Sequence, residues 1–221
     1  DWIMEYLHFK EDILREKGAL HTAREINGQP LLWKKTNAKF YTEASALSNF
    51  LHSAFKQVTN IMLTGAGTSA FIGLSLQGVF FKTTGIISRA VSTTDIVSHP
   101  QDYFNAAQIP LIISFARSGN SPESCAALNL ADKFSRKCFH LVITCDNEGA
   151  LANYTSLNPV HVFTLPPEAN DKSLAMTGSY TSMLLTGLRT AYRHQQKFCT
   201  EQIETICNVA ENIVQHYTHQ L

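Results

Sequence analysis

From residue 60 onward, short and mostly apolar runs alternate with helix-length segments, and this alternation constrains the fold more than any other feature. The runs are IMLT (61–64), IISRAV (86–91), PLIISFA (110–116), FHLVIT (139–144) and VHVFTL (160–165). A strand of a parallel sheet is covered on both faces, so it reads as a continuous apolar run rather than an in–out alternation. Strands separated by helices imply βαβ units and a mainly parallel sheet, hence an α/β domain. Segments 69–82, 121–136 and 148–156 are the expected intervening helices, each opening near a Ser, Thr or Asn able to cap it.

Helices are expected to flank this core. In and just before EYLHFKEDILREKG (5–18), Ile3, Met4, Leu7, Ile13 and Leu14 recur at roughly helical spacing, with Gly18 placed to stop the helix. A second helix is expected from Thr22 to the NGQP stretch, where Asn27-Gly28 favours a turn and Pro30 suits the first turn of a third helix, 31–55. After the fifth run, Pro166-Pro167 marks a loop, and Ser173 onward reads as a long helix. A last helix, 200–219, carries Ile203, Ile206, Val209, Ile213 and Val214 as an apolar stripe. The boundaries this suggests are a helical segment 1–57, an α/β domain 58–198 and a terminal helix 199–221 leading onward. The chain has 221 residues, enough for one sizeable core with attached helices. No internal repeat or low-complexity segment is visible.

Composition removes several function classes. Eighteen Lys+Arg balance eighteen Asp+Glu, so no bulk field attracts nucleic acid. The apolar stretches fall short of the ~18 residues that span a bilayer, and no basic segment followed by an apolar one opens the chain. No membrane partner and a cytoplasmic location are therefore expected. Five cysteines, an odd number with no CxxC pair, signal neither a disulfide framework nor a zinc knuckle and read as reduced packing residues. Of the nine histidines, His216 and His219 share a helical face, but a metal would need more partners there, so no metal site is expected.

The chemistry lies in the loops. Gly65-Ala66-Gly67-Thr68-Ser69-Ala70 follows the first run and opens a helix, fitting the relaxed GxGxxA dinucleotide fingerprint. Its glycines let an anion approach the backbone, and the helix N-terminus offers free N–H groups. The acid expected about 20 residues later at the end of the next strand is not there. That strand runs into Ser92, Thr93 and Thr94, with Asp95 late. A second anion-binding loop, ARSGNSPES (116–124), offers Arg117, Ser118, Asn120 and Ser121 beside Gly119 and a new helix start. Two hydroxyl-rich loops at neighbouring strand ends suit one compact phosphate monoester gripped from both sides. Such loops also arise simply as turns and helix caps. Glu123 sits in the first turn of the second helix, where it serves the dipole or a capping box with Asn120 as readily as a substrate; it is the one weak candidate for a catalytic carboxylate. NDKSLAMTGSYTSM adds Asp171, Lys172, Ser173, Thr177, Ser179 and Thr181 at another helix start, on the same side of the sheet. Asp95, His99 and Asp102 read as a loop near the site. No GxxxxGK[ST] and no GxSxG occurs, which sets aside P-loop and α/β-hydrolase readings.

In this order and spacing, GAGTSAFIG, SFARSGNSPES and KSLAMTGSYTSM resemble the sugar isomerase (SIS) domain family. Together with TAREINGQPLLW (22–33), they look like its tagatose-6-phosphate ketose/aldose isomerase branch, also described as galactosamine-6-phosphate deaminase/isomerase. The resemblance covers nearly the whole chain. It implies a three-layer αβα sandwich with a five-stranded parallel sheet, acting on or sensing phosphosugars with no metal or nucleotide cofactor. Carried over, the phosphate contacts fall on Gly67, Thr68 and Ser69 in the first loop and on Arg117, Ser118, Asn120 and Ser121 in the second. Ser173 and Thr177 of the third motif join them. Arg117 stands where related aminosugar enzymes often have Gln, and Ala116 where many relatives have Ser. The chemistry implied is aldose/ketose interconversion through an enediol or enolamine, with ammonia released from an amino sugar. Branch enzymes carry two such domains in tandem with the proton-shuttling carboxylate in the second, so the catalytic residue is expected outside this chain. A homo-oligomer is expected, and a non-catalytic phosphosugar-binding module is the alternative.

Overall fold

The computed structural model describes residues 4–218, without the side chains of Gln196 and Phe198. Five parallel strands form the central sheet: β3 (Asn60–Gly65), β4 (Ser88–Ser92), β5 (Pro110–Ala116), β6 (Phe139–Thr144) and β7 (Val160–Thr164). Their order across the sheet is β4-β3-β5-β6-β7. The chain leaves β3 toward β4 on one side and returns to β5 on the other, so the direction of winding reverses between β3 and β5.

The inner strands β5 and β6 are buried along their whole length, which is why they read as mostly apolar runs, with Ser114, His140 and Thr144 as buried polar exceptions. Side chains of alternate residues feed two separate cores. Leu63, Ile113, Leu141 and Phe163 meet Ile72, Leu76 and Phe80 of α3 (Ala70–Thr84), Met183 of α6 (Gly178–Ala191) and Phe40, Leu47 and Leu51 of α2 (Leu20–Phe55). Met62, Ile112 and Val142 meet Ile96 of α4 (Thr93–Ser98) and Ala127, Leu128 and Ala131 of α5 (Pro122–Phe134). The result is the expected helix–sheet–helix sandwich.

The flanking segments depart from the sequence pattern. Of the first expected helix, only α1 (Glu11–Glu16) forms, and Ile3 lies outside the described residues. Before α1, β1 (Glu5–Tyr6) and β2 (Phe9–Lys10) pair as a minimal hairpin. Its two turn residues, Leu7 and His8, have φ of 53° and 66°, a conformation that neither residue type advertises. The second and third expected helices are one, α2, which runs through Asn27-Gly28 and Pro30. Pro30 gives up one helical hydrogen bond at a cost of about 3 kcal/mol. Burial of Leu20, Ala23, Leu32, Phe40, Leu47 and Leu51 along the same helix outweighs it. At the other end, α7 (Gln196–His216) packs on α2 through buried Ile203 and Cys207 and a Lys34–Glu211 ion pair of 3.0 Å. Ile206, Val209 and Ile213 of its stripe stay exposed. His219, read as sharing a helical face with His216, lies outside the described residues. No helix among the described residues is long and apolar enough to cross a membrane.

Candidate functional site

Strands β3 and β5 are hydrogen-bonded neighbours in register, Gly65 opposite Phe115, so the loops that follow them leave the sheet side by side. In open α/β sheets, a ligand crevice lies where the winding reverses, beyond the carboxyl ends of the strands. The two loops singled out by the sequence leave the sheet at that reversal.

The first loop turns at Gly65. A Cβ there would lie 2.7 Å from the carbonyl carbon of Ser69, so only glycine lets the chain double back so closely. Residues Gly67–Ser69 form one 3-10 turn feeding α3. Gly67 and Thr68 are exposed and Ser69 is buried. Where a dinucleotide site would need an acid, β4 ends in Ser92, whose Oγ accepts the Asp95 N–H (3.2 Å) and caps α4. Asp95 thus lies in a short helix, with His99 and Asp102 around the 3-10 turn after it, rather than in a loop.

The second loop is braced from below. Ser118 and Asn120 are exposed and Ser121 is half-buried, with the Asn120 N–H donating to Ser118 Oγ at 3.3 Å. Ser121 is the N-cap of α5, and its hydroxyl shares a hydrogen bond of 2.6 Å with Ser124 Oγ. Asn120 is not the capping partner of Glu123; its Oδ1 accepts the Ala150 N–H at 2.9 Å. The Leu151 N–H donates to Gly119 O at 3.0 Å. Segment 148–156 is therefore irregular, not the expected helix, because its amides serve the neighbouring loop. Gly149 allows the contact, since a Cβ there would lie 2.1 Å from Ser118 O. Glu123 is half-buried in the first turn of α5, beside Pro122, and its side chain makes no hydrogen bond or ion pair among the described residues.

The third motif forms a loop up to Thr177, and α6 begins only at Gly178. Two carboxylates organise it. Buried Asp171 accepts from the backbone N–H groups of Thr177 (3.1 Å), Gly178 (3.1 Å) and Ser179 (2.8 Å) and from Ser179 Oγ (2.6 Å). The anion position at the N-terminus of α6 is thus filled from within the chain. Glu25 of α2 accepts from the N–H of Lys172 (2.6 Å) and from the N–H and hydroxyl of Ser173. Ser173, expected as a sugar contact, therefore spends its hydroxyl on Glu25, and the Thr177 hydroxyl is buried without a partner. Sequence reasoning gave Glu25 no role; its place in the TAREINGQPLLW stretch was the available signal. Arg117 links the second loop to this third segment, donating from Nη1 to Ser173 O at 3.5 Å.

Beneath them, burial and the nearby Asp171 and Asp146 push the Cys145 thiol up to about 12 against the pull of Arg117, so it is inert as a nucleophile. A cavity of about 320 Å³ lies between α2 and the third segment, bounded by Glu25, Lys35, Glu168, Asp171 and Lys172. Another, of about 430 Å³, lies beyond β6 and β7 near Lys39, Cys145, Asp146 and Thr164. Neither is lined by Ser69, Ser118 or Ser121.

Comparison with known proteins adds relatives to this geometry. The SIS domain family matches residues 54–191. The chain is 40% identical over 199 residues to D-galactosamine-6-phosphate deaminase AgaS of Shewanella sp. (strain ANA-3), covering 87% of this chain and 52% of that protein. It is 45% identical over 170 residues to D-galactosamine-6-phosphate deaminase AgaS of Escherichia coli, covering 76% of this chain and 44% of that one. The chain thus spans about half the length of the curated relatives it matches. Among solved structures, one from Clostridium novyi NT superposes with a TM-score of 0.94 at 38% identity, over 99% of this chain and 56% of its own. The tagatose-6-phosphate ketose/aldose isomerase of Escherichia coli superposes with a TM-score of 0.80 at 37% identity, over 89% and 55%.

Proposed function

The chain belongs to the SIS domain family, and from that premise we propose that it is the phosphosugar-binding half of an aldose/ketose isomerase or deaminase. Its substrate in this reading is galactosamine 6-phosphate or a tagatose 6-phosphate relative. The observation that carries the reading is the pairing of two hydroxyl-bearing loops on adjacent strands where the sheet's winding reverses. Thr68, Ser69, Ser118 and Ser121 donate hydroxyls to one phosphate, and the N-termini of the turns they open add partial positive charge. Gly67 and Asn120 shape the two loops, and Arg117 contributes a charge-assisted hydrogen bond. Ser173 and Thr177 line the third side, held by Glu25 and Asp171.

Phosphate held in this way fixes C1 and C2 of the sugar relative to a base, converting a diffusional encounter into a positioned one. The base removes a proton from the carbon bearing the amine or hydroxyl, giving an enolamine or enediol. Reprotonation at the neighbouring carbon completes isomerisation; with an amino sugar, addition of water and loss of ammonia leave the ketose phosphate. Support for this substrate comes from relatives named for galactosamine 6-phosphate and tagatose 6-phosphate. In this reading the base comes from a second domain of the same kind, and Glu123, whose side chain makes no hydrogen bond or ion pair among the described residues, is not assigned the role. The protein works in the cytoplasm and self-associates, the exposed Ile206, Val209 and Ile213 of α7 offering an apolar face.

The test is to assay the full-length gene product for ammonia and ketose phosphate formed from galactosamine 6-phosphate. Turnover is expected. Tight phosphosugar binding without turnover would leave a sensing module in place of an enzyme, and failure to bind any hexose phosphate would remove both.

A further inference from the structure

At the amino-terminal end of β6, away from the phosphate loops, a carboxylate, a thiol and an imidazole converge. Asp132 lies in the last turn of α5, Cys138 immediately precedes β6, and His140 is its second residue. The i, i+2 spacing of Cys138 and His140 sends both side chains to the side of the sheet that α5 covers. Cys138 Sγ lies 3.1 Å from Asp132 Oδ1 and 3.3 Å from His140 Nε2, and His140 Nε2 lies 2.8 Å from Asp132 Oδ1.

This triangle has the composition and nearly the size of one face of a zinc site. Bonds of about 2.0–2.3 Å in tetrahedral geometry separate the ligand atoms by about 3.3–3.7 Å. The shortest edge therefore has to open by about half an ångström. A mixed sulfur, nitrogen and oxygen donor set suits zinc better than the hard cations. Outer partners are in place: the Tyr154 hydroxyl donates to Asp132 Oδ2 at 2.6 Å and Asn158 Nδ2 to Oδ1 at 2.9 Å. They hold the carboxylate as second-sphere groups hold metal ligands. Cys138 and His140 are fully buried, whereas the Asp132 side chain is 23% exposed, which gives an ion an entry path and a water a fourth position.

We propose that Asp132, Cys138 and His140 form a zinc site that staples α5 to β6 and to segment 154–158. On binding, the thiol proton leaves with solvent and Cys138 binds as thiolate, while the imidazole proton resides on Nδ1. That nitrogen is buried with no hydrogen-bond partner among the described residues, a cost that sets the affinity below that of cysteine-rich sites. The site stands apart from the sugar chemistry: His140 is four residues from the carboxyl end of β6, about 13 Å of strand, so its role is structural.

The experiment uses the intact chain, stripped with a chelator and titrated with Co²⁺ as a spectroscopic probe, then with Zn²⁺ in calorimetry and thermal melting. One equivalent is expected to bind with a thiolate-to-cobalt charge-transfer band, to be displaced by Zn²⁺ and to raise the melting temperature. Cys138→Ser and His140→Gln should each weaken Zn²⁺ binding at least tenfold, and Cys138→Ser should abolish the band. A double variant, Cys125→Ala with Cys199→Ala, removes the two partly exposed thiols and must keep the band; it reports even if the Cys138 variant does not fold. Absence of the band in the unaltered chain, its loss in the double variant, or its survival in Cys138→Ser overturns the proposal.

Discussion

Replacing Asp171 tests how the third segment is held. Its Oδ2 accepts from the Thr177 N–H, the Ser179 N–H and Ser179 Oγ, and its Oδ1 from the Gly178 N–H. In Asp171→Asn, the carbonyl oxygen can take the Oδ2 position and keep three of these bonds, but the amide nitrogen then faces the Gly178 N–H, donor against donor. The loss is one hydrogen bond to a charged acceptor, about 1.5–3 kcal/mol, together with the favourable charge at a helix N-terminus, up to about 2 kcal/mol when partly buried. These terms overlap, so about 2–4 kcal/mol is expected. With a urea slope of about 2 kcal/mol per molar, the unfolding midpoint should fall by about 1–2 M. Asp171→Ala strands all four donors in a buried site and should cost about 4–6 kcal/mol, a large part of a domain's usual 5–15 kcal/mol. Urea unfolding followed by circular dichroism gives the midpoints, and amide exchange at Thr177, Gly178 and Ser179 localises the effect. A midpoint for Asp171→Asn within about 0.3 M of the unaltered chain would refute the argument that this carboxylate holds the start of α6.

Three further perturbations bear on the loops and the core. Ser118→Ala removes one exposed hydroxyl without touching the core and should weaken hexose-phosphate binding about tenfold, the loss of one hydrogen bond to a charged group; calorimetry finding unchanged affinity with an intact fold would count against the crevice as the phosphate site. Gly149→Ala places a Cβ 2.1 Å from Ser118 O, so the second loop must move, and a stability loss of about 1–3 kcal/mol together with weaker phosphosugar binding is expected; native stability and affinity would contradict the bracing role of segment 148–156. Burial holds the His161 imidazole, stacked on Phe50, below its ordinary value against a weaker opposing pull from Glu43. The unfolded chain therefore takes up the proton first as the pH falls through about 6.5, and stability present at higher pH is lost below it. His161→Phe should flatten the stability profile between about pH 7 and 5; parallel profiles for the two proteins would show that this imidazole does not titrate as its burial requires.

What could be read from the amino-acid order is what short-range physics writes there. Strands covered on both faces need largely apolar runs, so β3, β5 and β6 are legible to within a residue or two, and with them the parallel sheet. Glycine and hydroxyl residues at strand-to-helix turns mark the first two loops, because a close backbone reversal and an open helix N-terminus each demand particular side chains. The order β4-β3-β5-β6-β7, which sets those loops side by side, is a long-range fact that no local pattern carries. The same holds for α2, where packing on the sheet and on α6 and α7 overrides the turn signal of Asn27-Gly28 and Pro30. Segment 148–156 has helix-like composition, yet Gly119 and Asn120 take its amides. Ser173 reads as a free hydroxyl until Glu25, distant in sequence, folds back to hold it. The sequence alone determined the class of fold and the two strand-to-helix loops at its winding reversal, because both rest on burial and backbone geometry over a few neighbouring residues. Only the tertiary structure decided which polar groups are free to meet a ligand and which are already used, because that depends on partners brought together from far along the chain.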